Sequence, residues 1–464
     1  MIFYSLVFLL FFIAASICVQ TAPDLRRQHR FFLAANIVFY GYWDVRFLIL
    51  LFAVIAVCYI TALRYQDSRK RGWIYTAVII CIAVLAVCKY TNFFIETFAA
   101  AFHIQNYETL NIILPLGISF YLFQAMSYVF DVKRETIPAE KSFLKLAVYI
   151  SFFPQVTSGP IVKAHDFLPQ LERLHRIKKA NFYRGIQLFL LGLTKKVVFA
   201  DRIGIAVDAV YAAPAAYDSV SIVFALIGYS LQIYCDFSGY SDMAAGIAAI
   251  WDFDLGANFN APYIARNLSE FWRRWHISLS SWFRDYVYIP LGGSRRGNIR
   301  TYFNLFVTML LSGFWHGASM TFVIWGAMHG LGSAVNRFWR NTSFAPRRRE
   351  KASALSVAVC ILANNIFIAL TWIVFRAESI QQAWEIFSGL FRFNGITYVN
   401  IYVVCYAVLI GLFHAAALYK NGGTALTVNM DLDKLGPKIV FTAWGFAVAV
   451  LMYCGNSAFI YAQF

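Results

Sequence analysis

Gly313-Phe-Trp-His-Gly-Ala318 sets a histidine between two glycines at the end of an apolar run. A neutral imidazole offers an acceptor nitrogen near pH 7, the requirement for a general base. Ionisable groups inside a membrane are functional by default. Gly313 and Gly317 would leave room for a substrate to approach His316. A hydrogen bond between helices is the competing, purely structural explanation. Upstream, Leu268 to Gly297 carries Trp272, Trp275, Leu279, Trp282 and Tyr286 three or four residues apart, one aromatic stripe on a helix. Arg273, Arg274, His276, Ser280 and Arg284 lie mostly off that stripe, the last three in i, i+4 register. This pattern predicts a helix lying at a bilayer surface. An element that merely anchors the chain would look the same.

Nucleophile, base and oxyanion site need polar groups converging on one point. His276, Ser280 and His316 are those groups, with cations nearby to hold a phosphorylated donor on the inner side. Gly-x-Ser-x-Gly, a Walker loop and His-Glu-x-x-His are all missing, which argues against a serine hydrolase, an NTPase and a zinc protease. His329 reads as packing or support, and His414 as core. His29, His103, His165 and His175 read as loop residues.

The elements that must position these groups are membrane helices. Of the 464 residues, 60% are hydrophobic and 14% charged, against about 25% charged in a soluble protein. No stretch is polar enough to form a separate soluble domain, so residues 1–464 read as one membrane domain with a catalytic core at about 110–340. The net charge of +16 fits basic cytoplasmic loops facing anionic lipid better than nucleic acid. Eight cysteines stand singly in apolar segments, without a Cys-x-x-Cys pair. They read as small buried residues; a disulfide framework or metal site is not expected.

Met1 to Cys18 reads as a retained first span, because the basic start and Ala-x-Ala site of a signal peptide are missing. Basic loops at 24–30, 64–71 and 133–145 recur after every second span, which puts them inside. Leu146 to Pro154 is only about 14 Å long as a helix, too short to cross. With the turn through Pro154, Gly159 and Pro160 it reads as re-entrant. Residues 163–184 are basic, either a solvated inner loop or part of an anion-binding mouth. Asp236, Asp242, Asp252 and Asp254 fit no EF-hand spacing; pairing with nearby arginines is expected. Later spans are read at Thr301–Trp315, Phe322–Val335, Leu355–Phe375, Tyr398–Leu418 and Ile439–Tyr453, with basic Arg337, Arg340 and Arg347–Arg349 between. His316 then sits roughly 22 Å above the start of its helix, toward the outside. The arginine-bearing helix stays inside, so the two would flank one tunnel.

The run Ser269-Glu-Phe-Trp-Arg-Arg-Trp-His-Ile-Ser-Leu-Ser-Ser-Trp-Phe-Arg-Asp-Tyr-Val-Tyr-Ile-Pro-Leu-Gly-Gly-Ser-Arg295, followed by Gly313-Phe-Trp-His-Gly317, closely resembles the membrane-bound O-acyltransferase family. Within that family the likeness is to the branch of alginate O-acetyltransferase membrane subunits and D-alanyl-lipoteichoic acid transfer proteins. Leu114-Pro-Leu-Gly-Ile-Ser-Phe-Tyr121, Phe153-Pro-Gln through Gly159-Pro, and Tyr234-Cys-Asp-Phe-Ser-Gly-Tyr-Ser-Asp242 extend it over most of the chain. The resemblance implies an all-α ring of about 11–12 tilted transmembrane helices, with re-entrant and interfacial pieces around a central tunnel.

It further matches His316 to the family's histidine and His276 to its Asn/His position. The implied activity is acetyl transfer from cytoplasmic acetyl-CoA, across a bacterial inner membrane, to an extracytoplasmic polysaccharide such as alginate. Acetyl-CoA is a substrate here; no permanently bound cofactor and no metal are implied. Trp272, Arg273, Arg274, Trp275, Ser280 and Arg284 would hold the donor, the arginines suiting its phosphates. His316 would take the acceptor proton, while His276 or a neighbouring donor steadies the oxyanion. A periplasmic SGNH-type acetyltransferase is the implied partner, besides membrane lipid. A D-alanyl or lipid acyltransferase of the same family, or a non-catalytic transporter or scaffold, are the alternatives.

Overall fold

A computed structural model describes residues 1–342, 353–420 and 428–452; Arg347–Arg349 and Cys454 lie outside them. All regular elements among these residues are helical. Five helices are long and apolar enough to cross a membrane: Arg46–Ser68, Gly72–Ala101, Ser219–Ile250, Ala354–Arg376 and Ile401–Tyr419. Leu6–Thr21 and Leu435–Leu451 are apolar but shorter. The protein is a polytopic helical membrane protein. It divides into two compact units, residues 1–190 with 240–256, and residues 191–239 with 257–464.

The first unit contains α1 (Leu6–Thr21), α2 (Leu25–Gly41), α3 (Arg46–Ser68), α4 (Gly72–Leu85), α5 (Thr91–Ala101), α6 (Ile118–Lys133), α7 (Phe143–Ser151), α8 (Phe153–Val156), α9 (Ala164–Phe167) and most of α10 (Lys179–Leu193). The expected basic loop at 24–30 is instead the first turns of α2. Asp24 caps that helix, accepting from the Arg27 amide at 2.8 Å, so the cations continue it. Helix α6 begins at Ile118, directly after the left-handed Gly117.

The stretch expected to be re-entrant is buried continuously from 146 to 164. Non-helical backbone at depth must find its partners within the protein. Here Asn36 donates to Ser151 Oγ at 3.1 Å and accepts from the Phe153 amide at 3.0 Å. Tyr149 donates its hydroxyl to the Val162 carbonyl at 2.9 Å. His29 lies within α2, contrary to the loop expectation, while His175 does lie in an irregular stretch; both are buried. His175 stacks on Phe253 at 3.8 Å and places its ring nitrogens 2.9 Å and 2.8 Å from the carbonyls of Trp251 and Gln170. Burial pushes its pKa down and the two carbonyls oppose that. The arginine–carboxylate pairing is present at Arg173–Asp252, 3.4 Å, and Arg184–Asp254, 3.7 Å.

The second unit contains α11 (Asp201–Ala212), most of α12 (Ser219–Ile250), then α13 (Leu268–Arg274), α14 (Ile277–Phe283), α15 (Gly297–His316), α16 (Met320–Arg340), α17 (Ala354–Arg376), α18 (Ile380–Gly389), α19 (Ile401–Lys420) and α20 (Leu435–Leu451). Helix α12 includes Asp236. Its carboxylate meets Lys196 at 2.6 Å, with Asp201 at 2.8 Å from the same ammonium. The partner is thus a lysine and not an arginine. Lys196 lies on a π-helical stretch, Thr194–Ala200, which joins α10 to α11.

All three side chains of this cluster are about 5% exposed or less. Removing the cation from a buried cluster of this kind costs about 3–5 kcal/mol, because the carboxylates stay buried. Lys196→Met should therefore lower the thermal midpoint of the detergent-purified protein sharply, while Lys196→Arg retains most of it. Equal midpoints for Lys196→Met and wild type in a fluorescence melt would contradict the structural role.

Candidate active site

The stretch read as one surface helix is two. The α13 cap is Asn267, whose side chain accepts from the Glu270 amide at 3.0 Å. Helix α13 ends at Arg274, the chain passes through a left-handed His276 (φ 42°, ψ 56°), and α14 starts at Ile277. A left-handed non-glycine residue costs on the order of 1–3 kcal/mol and needs a structural counterpart. Asn258 supplies it. Its carbonyl accepts the Ile277 amide at 2.9 Å. Its side-chain oxygen accepts from the Ser278 amide at 3.2 Å, the Ser278 hydroxyl at 2.9 Å and His276 Nδ1 at 3.2 Å.

The break turns the aromatic stripe inward. Trp275, Leu279, Trp282 and Tyr286 are buried and do not face lipid. Trp275 packs on Phe259, Trp372 and Phe271 with ring centroids at 5.1, 5.3 and 5.5 Å. Trp272 meets His329 at 5.1 Å and Trp325 at 5.8 Å. His329 in turn sits 3.0 Å from the Thr371 hydroxyl, the supporting position expected of it.

His316 is the last residue of α15 and 4% exposed. Trp315, Trp325 and Phe375 surround its ring at 4.9, 5.1 and 5.2 Å. Its flanking glycines do not open an approach. A Cβ at Gly313 would fall 2.3 Å from the Phe322 carbonyl oxygen, and one at Gly317 would fall 2.1 Å from the Phe322 ring. Both glycines let α15 and its neighbour α16 pack in close contact. His276 is fully buried, with Phe237 at 4.6 Å and Trp315 at 6.3 Å. Both imidazoles therefore border Trp315, and they are no farther apart than the sum of its two ring distances. The separation of a whole span expected between them is not there. Burial pushes the His276 pKa down to about 3, so its ring is neutral at physiological pH.

The cations differ among themselves. Arg274 is part-buried, 2.9 Å from Glu270 and 3.1 Å from the Asn260 carbonyl. Arg284 pairs with its neighbour Asp285 at 2.7 Å. Arg273 is exposed at the end of α13. Ser280 donates its hydroxyl to the Trp275 carbonyl at 3.2 Å, across the break, and its amide to the His276 carbonyl at 2.9 Å. Asn258 was missed as a site residue: nothing in the spacing of an Asn in an irregular stretch links it to a histidine on another segment. Trp325, Trp372 and Phe375, which wall the site, were read simply as apolar helix.

Known proteins resemble this chain over most of its length. The model for the MBOAT, membrane-bound O-acyltransferase family, matches residues 133–375. The probable alginate O-acetylase AlgI of Pseudomonas aeruginosa is 38% identical over 403 residues, covering 85% of this chain and 75% of that protein. The peptidoglycan O-acetyltransferase of Helicobacter pylori is 35% identical over 397 residues, with coverage of 79% and 74%. The teichoic acid D-alanyltransferase of Bacillus subtilis is 28% identical over 305 residues, covering 61% and 74%.

The geometry separates the two adjacent arginines. Arg274→Ala should destabilise the protein by about 1.5–3 kcal/mol through lost charge-assisted bonds, whereas Arg273→Ala should leave the thermal midpoint within error. Equal losses for the two variants would show that Arg274's ion pair has no special structural weight.

Proposed function

The chain belongs to the membrane-bound O-acyltransferase family, and from that premise we propose that it moves acetyl groups from cytoplasmic acetyl-CoA toward an extracytoplasmic polysaccharide. The protein is a membrane O-acyltransferase. The observation that carries the finer reading is the pair of buried imidazoles bordering Trp315. Acetyl as the transferred group is supported by the names of the alginate and peptidoglycan relatives. The D-alanyl alternative has weaker support, since that relative matches less of the chain at lower identity.

In the proposed reaction the acceptor hydroxyl oxygen attacks the thioester carbonyl carbon. A C–O bond forms and the C–S bond breaks. The hydroxyl proton goes to the His316 imidazole and from there to the departing CoA thiolate, so atoms and charge balance. Aromatic walls exclude water, which would otherwise take the acetyl group. Arg273, exposed on α13, is the cation best placed to meet a phosphate of the donor; Arg274 and Arg284 are already paired with acids. A periplasmic SGNH-type acetyltransferase would carry the group onward, and the bacterial inner membrane would be the site of the protein.

His316→Ala should insert and melt like wild type yet lose acetyl transfer by about 10²–10⁴-fold, the usual worth of a general base. The measurement is acetyl ester on the polymer from cells carrying the variant. Wild-type acetylation would remove His316 from the reaction.

A further inference from the structure

Three donors meet at one oxygen of Asn258, and one of them settles its identity. A backbone amide can only donate, and the Ser278 amide points at this atom from 3.2 Å. The atom is therefore the carboxamide oxygen and not its nitrogen. His276 Nδ1, 3.2 Å from the same oxygen, can be a partner only by carrying a proton. In a neutral imidazole the second nitrogen then bears a lone pair. This is a constraint on chemistry: a neutral His276 in this tautomer has no N–H left to give to an oxyanion.

We infer that Asn258 is a positioning residue, which fixes His276 as an Nδ1–H tautomer so that its Nε2 serves the reactants as a hydrogen-bond acceptor. The oxyanion-donor role expected from sequence then falls to another group. The partner chemistry of Nε2 is an O–H or N–H donor. Two sources carry one: the acceptor hydroxyl, whose single proton would then pass to His276 in place of His316, and the amide of the cysteamine arm next to the thioester sulfur. The left-handed backbone at His276 serves the same end, since it aims the ring back across the chain break at Asn258.

The surroundings keep this arrangement from being overridden. Phe237, Phe259 and Trp315 face the imidazole with ring centroids at 4.6, 6.5 and 6.3 Å. Charged groups on the packed elements have ion-pair partners of their own: Asp236, beside Phe237 on α12, meets Lys196, Arg274 on α13 meets Glu270, and Arg284 meets Asp285. An asparagine in this position orients and stabilises an imidazole much as the third member of a Cys-His-Asn triad does.

The inference rests on the acetyl-transfer reading only for the identity of the reactants, so its first test does not use them. Protein carrying ¹⁵N-labelled histidine is reconstituted in lipid vesicles, and the His276 signals are assigned by their loss in His276→Gln. The expected spectrum has a protonated Nδ1 and a bare Nε2. A bare Nδ1 with a protonated Nε2 would overturn the inference whatever the acyl donor proves to be. The second test is kinetic. Asn258→Asp keeps the acceptor oxygen and places a carboxylate beside the ring, so activity should persist, with the acidic limb of the pH–rate profile moved to higher pH. Asn258→Leu should lose at least tenfold in rate. If Asn258→Leu weakens CoA binding by calorimetry, the amide is the donor; if CoA binding holds while transfer falls, the hydroxyl is. An active Asn258→Asp with an unmoved profile, or an Asn258→Leu as fast as wild type, would contradict the positioning role.

Discussion

The side-chain oxygen of Asn258 accepts from His276, the Ser278 amide and the Ser278 hydroxyl, and the shape of the site depends on that junction. A buried polar group without partners costs about 1–3 kcal/mol, so each of these donors needs an acceptor. One carboxamide satisfies all three and offsets a left-handed residue. Through it the chain turns between α13 and α14. The turn sends Trp275 and Trp282 inward and sets His276 against Trp315. A continuous helix over the same residues would have kept the aromatic stripe on one face.

Close packing supplies the other histidine. Helices α15 and α16 approach so tightly that neither Gly313 nor Gly317 has room for a methyl group. His316, at the end of α15, is thereby held among Trp315, Trp325 and Phe375. Two devices, a hydrogen-bond junction and a glycine contact, converge on one indole. The buried charges of Lys196, Asp201 and Asp236 are held together in one ion-pair cluster. An apolar interior tolerates ionised side chains only in such company.

Much of this was legible in the sequence. Charge and hydropathy gave a polytopic helical protein, the short apolar run from Leu146 gave the buried irregular piece, and the ordered motifs gave the family. His316 at the close of a span could be read from one motif. The break at His276 could not, because the aromatic spacing of three and four continues straight through it. Its cause lies on another segment, at Asn258, and a local pattern carries no record of such a contact. The glycines beside His316 misled for a related reason: a small residue signals close approach, but the sequence does not say whether substrate or helix comes near. His175 looked like a loop histidine among cations, yet its two carbonyl partners and Phe253 bury it.

The central claim is that one buried centre passes an acetyl group from a cytoplasmic thioester to the opposite side. Vesicles with the protein in one orientation test it most directly. Their lumen holds the polysaccharide and the periplasmic acetyltransferase, and acetyl-labelled CoA is added to one face at a time. The account predicts free CoA only when the thioester meets the face bearing the basic loops, with the label recovered on the enclosed polymer. Equal transfer from either face, or label confined to the thioester's own side, would contradict it.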